Sequence, residues 1–82
     1  MRKYAYLKQP IRCNENNDDF VHKIMLEQTD NNGATLYYFK SKEATQYSFS
    51  EVFEDIEDVY HEWNEYVDEN GWIDIYDSTL NG

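Results

Sequence analysis

The spacing of apolar residues changes period partway along this chain, and that change constrains the fold more than any other feature. Before residue 42, three segments alternate apolar and polar positions. After residue 51, Val52, Phe53, Ile56, Val59, Tyr60, Trp63, Tyr66 and Val67 follow the i, i+3, i+4, i+7 stripe of an amphipathic helix. Ser48 and Glu51 stand at capping-box spacing ahead of this stripe, with Ser50 as an alternative N-cap. Asn70-Gly71 supplies a stop, because glycine tolerates the left-handed conformation at a helix C-terminus. The spacing predicts a helix over 50–69, about 30 Å long at 1.5 Å per residue.

The alternating segments read as strands. Residues 4–13 place Tyr4 and Tyr6 on one face and Ala5 and Leu7 on the other, and Pro10, which lacks an N–H, marks an edge or a break. Residues 14–19 form a polar turn cluster. In 20–29, Phe20, His22, Ile24 and Leu26 share one face and Val21, Lys23 and Met25 the other. Asp30-Asn31-Asn32-Gly33 is a hairpin signal, residues 34–41 are the return strand, and 72–76 alternate as a last strand with Ile73 and Ile75 on one face. The expected fold is α+β, a single domain over 1–82: a small antiparallel β-sheet in the order β-β-β-α-β, with one amphipathic helix across one face. One helix covers one side of a sheet, so the other, tyrosine-bearing side is expected as an exposed apolar patch or an interface.

Fourteen aromatic residues, eight of them Tyr, supply apolar area that argues against disorder in a chain of net charge −10. An 82-residue chain has room for one modest core. Cys13 is the only cysteine, so an internal disulfide is excluded and a reducing compartment is expected. The basic N-terminus has no apolar stretch behind it, and no run approaches the ~20 apolar residues of a membrane-spanning helix. These features together predict a cytoplasmic protein.

Charge is split along the chain. All seven Lys and Arg residues lie within 1–42, beside five acids; residues 43–82 hold twelve acids and no Lys or Arg. This balance disfavours direct binding to nucleic acid or an anionic membrane. Nine acids (Glu51, Glu54, Asp55, Glu57, Asp58, Glu62, Glu65, Asp68 and Glu69) fall on the polar side of the expected helix and form nine like-charge pairs at i,i+3 or i,i+4. At ~0.2–0.5 kcal/mol each, those pairs oppose the helix by roughly 2–4 kcal/mol. A one-sign surface held despite self-repulsion is either a solvated face or a docking surface for a basic protein. Nine acids over ~27 Å also approach the ~3.4 Å charge spacing of one DNA strand, which raises nucleic-acid mimicry.

The functional expectation is a small acidic protein-binding domain of the inhibitor or immunity type, docking its acidic helix on a basic protein partner. Its candidate partner-binding residues are Glu51, Glu54, Asp55, Asp58, Glu62, Glu65, Asp68, Glu69 and Trp72. The alternative is a structural or accessory protein that self-associates through the tyrosine-rich sheet face, so the expected state is a monomer or weak homodimer. No enzyme activity, cofactor or metal is expected. Residues 66–77 partly match a calcium-binding loop through Asp68, Asn70, Gly71, Ile73 and Asp77, but Tyr66 replaces the first ligand and too few residues follow for an exiting helix. Cys13, His22 and His61 lack the spacing of a zinc site or of a nucleophile–base pair.

Overall fold

A computed structural model describes residues 2–12, 20–29 and 31–75. The polar cluster 14–19, Cys13, Asp30, Tyr76 and Asp77, all read in the sequence above, lie outside the described residues. The elements in chain order are strands β1 (Arg2–Arg12), β2 (Phe20–Gln28), β3 (Ala34–Phe39) and β4 (Phe49–Phe53), helix α1 (Ile56–Trp63), a 3₁₀ turn (Asn64–Tyr66) and the short strand β5 (Ile73–Asp74). The sheet is antiparallel with order β4-β3-β2-β1-β5. This is the expected small α+β fold, with one strand more than the spacing suggested.

Pairing in register sorts the side chains. Ala5, Ile24, Tyr38 and Phe49 lie side by side across β1 to β4, as do Lys3, Leu26, Leu36 and Glu51. Ala5, Ile24, Leu26, Ala34 and Leu36 are fully buried and join Val59, Trp63 and Val67 in one core cluster. Helix α1 therefore seals this face, with the Tyr38 and Trp63 rings 5.4 Å apart across the contact. Val21 is also in the core, although simple alternation sets it opposite Ile24. The register of β1 against β2 slips between Tyr6 and Ile11, around Pro10, and the strict two-residue period is lost there.

The helix is shorter than its apolar stripe. Residues 49–53 pair with β3 instead, Phe53 opposite Ala34 and Val52 opposite Thr35. Phe49 and Phe53 are four apart, a spacing that both a helix and a strand place on one face. Val52 distinguishes the two: it is 76% exposed, as the opposite side of an edge strand requires. Asp55 rather than Ser48 or Ser50 is the N-cap, with extended backbone and a carboxylate that accepts the Glu57 N–H at 3.0 Å. At the other end Val67 bridges to Leu7 and the Asp68 N–H bonds the Tyr6 carbonyl at 2.9 Å, so β1 captures the backbone the helix would have used. Gly71 does take the left-handed conformation (φ 67°), but in a turn after this segment, where its N–H bonds the Asp68 carbonyl.

Electrostatics favours the shorter helix. Of the nine like-charge pairs expected, only Asp58–Glu62 lies wholly inside α1. Glu54, Asp55, Glu57 and Asp58 gather at its N-terminus, where the helix dipole attracts anions, and Asp68 and Glu69 are no longer on its repulsive C-terminal turn.

The second face of the sheet carries Tyr4, Tyr6, Lys23, Met25, Glu27, Tyr37 and Phe39. It is not bare. Residues 40–48 cross it: the Lys23 ammonium donates to the Ala44 carbonyl at 2.8 Å, Lys42 sits over the Tyr6 ring, and Tyr47 packs on Tyr37 with centroids 4.7 Å apart. Phe39 is only 5% exposed beneath this crossing. The wholly open tyrosine face expected from the sequence is thus half covered.

Candidate functional site

The acidic residues singled out in the sequence divide by what their oxygens do. Asp55 is occupied as the N-cap. Asp68 accepts the Asn70 N–H at 2.9 Å and shapes the turn after the 3₁₀ segment. Glu51 accepts the Tyr38 hydroxyl at 2.6 Å across the β3–β4 pair. Glu54, Glu57, Asp58, Glu62, Glu65 and Glu69 are exposed. Among the described residues the ion pairs are Arg2–Glu27 at 2.7 Å and Lys3–Asp74 at 3.8 Å, neither of which touches an acid of 51–69. The two ion pairs of the basic half thus leave these acids aside, although Arg12 lines the same concavity as Glu62 and Glu65.

Trp72 is less free than an interface anchor. Its indole N–H donates to the Asn64 side-chain oxygen at 2.8 Å and its ring meets Tyr60 edge-on at 5.6 Å, so it fastens the segment after the 3₁₀ turn to α1.

Three of the acids named as partner-binding candidates converge on one concavity, together with residues outside that set. A concavity of about 550 Å³ opens between the C-terminal end of α1 and the strands, lined by Ile11, Arg12, Val21, Tyr38, Glu51, His61, Glu62, Trp63, Glu65 and Tyr66. Glu62 from the helix and Glu65 from the 3₁₀ turn are neighbours in sequence, and tertiary packing brings Glu51 to them from an edge strand. A smaller hollow of about 280 Å³, lined by Lys8, Gln9 and Pro10, adjoins it and shares Ile11, Glu65 and Tyr66. Aromatic rings form part of the wall: Trp63 lies 5.4 Å from Tyr38 and 5.8 Å from Tyr66, centroid to centroid. Glu54, Asp55, Asp58, Asp68 and Glu69 are not among the lining residues.

Trp63 is the one unresolved element of this wall. The residue is 8% exposed, and its buried indole N–H has no hydrogen-bond acceptor among the described residues. An unpaired buried donor costs about 1–3 kcal/mol. No sequence signal pointed to it, because the apolar stripe marks Trp63 simply as core.

On the other face of the sheet, Glu27 receives both the Arg2 guanidinium and the Tyr37 hydroxyl, at 2.7 and 3.0 Å. Burial, then the hydrogen bond and charge of Glu27, push the Tyr37 phenol above its ordinary pKa. Burial lowers the Lys23 ammonium below its usual value, and Glu43 partly offsets this. These groups are tied into the structure and form no cluster suited to acid–base chemistry. Among the described residues no group of three or more His, Cys, Asp or Glu side chains comes together as a metal cage. No helix among them is long and apolar enough to cross a membrane. No family model, curated protein or solved structure matches this chain, so what it does must be argued from these residues alone.

Proposed function

We propose that this chain is a small acidic protein-binding domain, of the inhibitor or immunity type, that docks on a basic surface of another protein and occludes it. One observation carries the reading: Glu54, Asp58, Glu62, Glu65 and Glu69 are exposed, and among the described residues none has a Lys or Arg partner. Such a surface accelerates encounter with a cationic counterpart. Nucleic-acid mimicry loses its premise, because α1 has eight residues and runs about 12 Å, so the acids do not form a rod with regular charge spacing. Self-association through the tyrosine face is less well supported, since residues 40–48 already occupy part of it.

The test is kinetic. A partner is captured from cells expressing the chain, purified, and its association rate measured across ionic strength for the wild type and for Glu54→Lys/Asp58→Lys/Glu69→Lys. The reading expects association at least about tenfold slower for the variant, with a flatter salt dependence. An unchanged association rate would sink it. Concentration-dependent, salt-insensitive dimerisation of the isolated chain in sedimentation would favour the tyrosine-face alternative.

A further inference from the structure

We infer that the groove between α1 and the strands receives an arginine side chain projecting from a basic segment of the partner protein. The inference rests on the docking function proposed above and adds to it a specific seat.

The walls match the chemistry of a guanidinium in two ways. Glu51, Glu62 and Glu65 bring carboxylates to the groove from three separate elements. Glu51 is already oriented by the Tyr38 hydroxyl, which leaves its second oxygen available. Tyr66, 43% exposed, offers an open ring beside these acids and is backed by the buried rings of Trp63 and Tyr38. A planar, weakly hydrated guanidinium stacks on such rings while its fork of N–H donors meets carboxylates; a compact, strongly hydrated ammonium does this less well. Arg12 also lines the groove and opposes a second cation, but its guanidinium lies over the Phe20 ring, 5.5 Å from the centroid, and three carboxylates share the lining with it. With one arginine seated, the lining holds three carboxylates and two guanidinium groups. The concavity of about 550 Å³ accommodates the side chain together with the backbone that bears it.

The Trp63 indole points to a peptide rather than a free cation. Its N–H is buried without an acceptor, and a guanidinium has no acceptor to offer. A main-chain carbonyl beside the arginine has one. Its arrival satisfies the donor with a small turn of the Trp63 ring on binding. The indole N–H of Trp72, already bonded to Asn64, has no such need and serves as an internal reference.

Two tryptophans give two indole ¹⁵N–¹H signals, which makes the proposal directly readable. The intact chain is titrated at low ionic strength with acetyl-Gly-Arg-Gly-amide, with the lysine counterpart and with methylguanidinium. The arginine peptide is expected to shift the Trp63 signal saturably, to leave that of Trp72 in place, and to bind at least about fivefold tighter than the lysine peptide. Methylguanidinium is expected to bind more weakly and to leave the Trp63 N–H signal near its starting position. Glu62→Gln/Glu65→Gln should weaken the arginine peptide about fivefold or more, whereas Glu43→Gln/Glu57→Gln, exposed acids outside the groove and outside the docking set, should change it less than about twofold. Equal binding of both peptides, equal effects of the two double variants, or an unmoved Trp63 signal would each overturn the seat. Those results leave the kinetic test of acidic docking standing. Conversely, a failure of that kinetic test with the peptide results intact removes the docking surface and keeps the groove.

Discussion

Tyr37 is the residue whose surroundings make the clearest measurable statement. Its phenol is held protonated by burial and by donation to Glu27, which Arg2 also binds. Because the folded pKa lies above the ordinary value, this contribution to stability is complete below pH ~10 and is lost as pH rises through the raised folded value. Tyrosinate absorbance should therefore include a late step, above the ordinary tyrosine value, from the Tyr37 phenol. Tyr37→Phe should remove that late step and Glu27→Gln should move it earlier; a titration of Tyr37→Phe that still contained the late step would assign it elsewhere. Lys23 has the opposite sign. Its lowered pKa means that burial of the ammonium opposes folding at neutral pH, and this penalty is relieved as pH rises through the lowered value. Asp55 supplies the third residue-scale test. As the N-cap of α1, its replacement by Ala should cost about 0.5–2 kcal/mol in urea unfolding, while Ser50→Ala should have little effect.

At the scale of the element, β4 and α1 share an apolar pattern that either secondary structure could have used. The strand assignment makes unequal predictions for two adjacent residues. Phe53→Ala should cost about 3–5 kcal/mol, because the ring is in the core, while Val52→Thr should fall within about 0.5 kcal/mol because the side chain is open to solvent. A helix over 50–69 would instead bury both. Chemical denaturation of the two variants decides between these outcomes, and far-UV circular dichroism should report a helix of about two turns rather than five. The Ile56 N–H bonds the Asn32 carbonyl, so the loop joining β2 to β3 also anchors the start of α1. The hairpin thereby helps to place the helix.

The whole molecule is a compact object, 34 × 29 × 24 Å, whose net charge of −10 is concentrated in the second half of its sequence. The basic residues of β1 and β2 are used within the sheet: Arg2 on Glu27, Lys3 near Asp74, Lys23 on Ala44, Arg12 over Phe20. Most of the acids that follow β4 have no Lys or Arg ion pair among the described residues. Salt should screen them instead, so thermal unfolding between 0.05 and 0.5 M NaCl is expected to move upward by a few degrees, on the order of 1 kcal/mol. Glu57→Gln/Glu62→Gln should shrink this salt response. A melting temperature independent of salt would mean that the repulsion is already relieved.

Taken by itself, the chain determined its class: period-two segments separated by turn residues had to pair as a sheet, and the stripe at Ile56, Val59, Tyr60 and Trp63 had to bury one side of a helix. It also determined where the negative charge is, since no Lys or Arg follows Lys42. It did not determine where the helix begins and ends, because Phe49 and Phe53 suit a strand as well as a helix and Val67 suits either. Long-range pairing with β3 and β1 decided both ends, through backbone hydrogen bonds between residues far apart in sequence. The groove belongs wholly to the tertiary structure. Glu51 and Tyr38 become neighbours of Glu62, Trp63 and Glu65 only when α1 closes over the sheet.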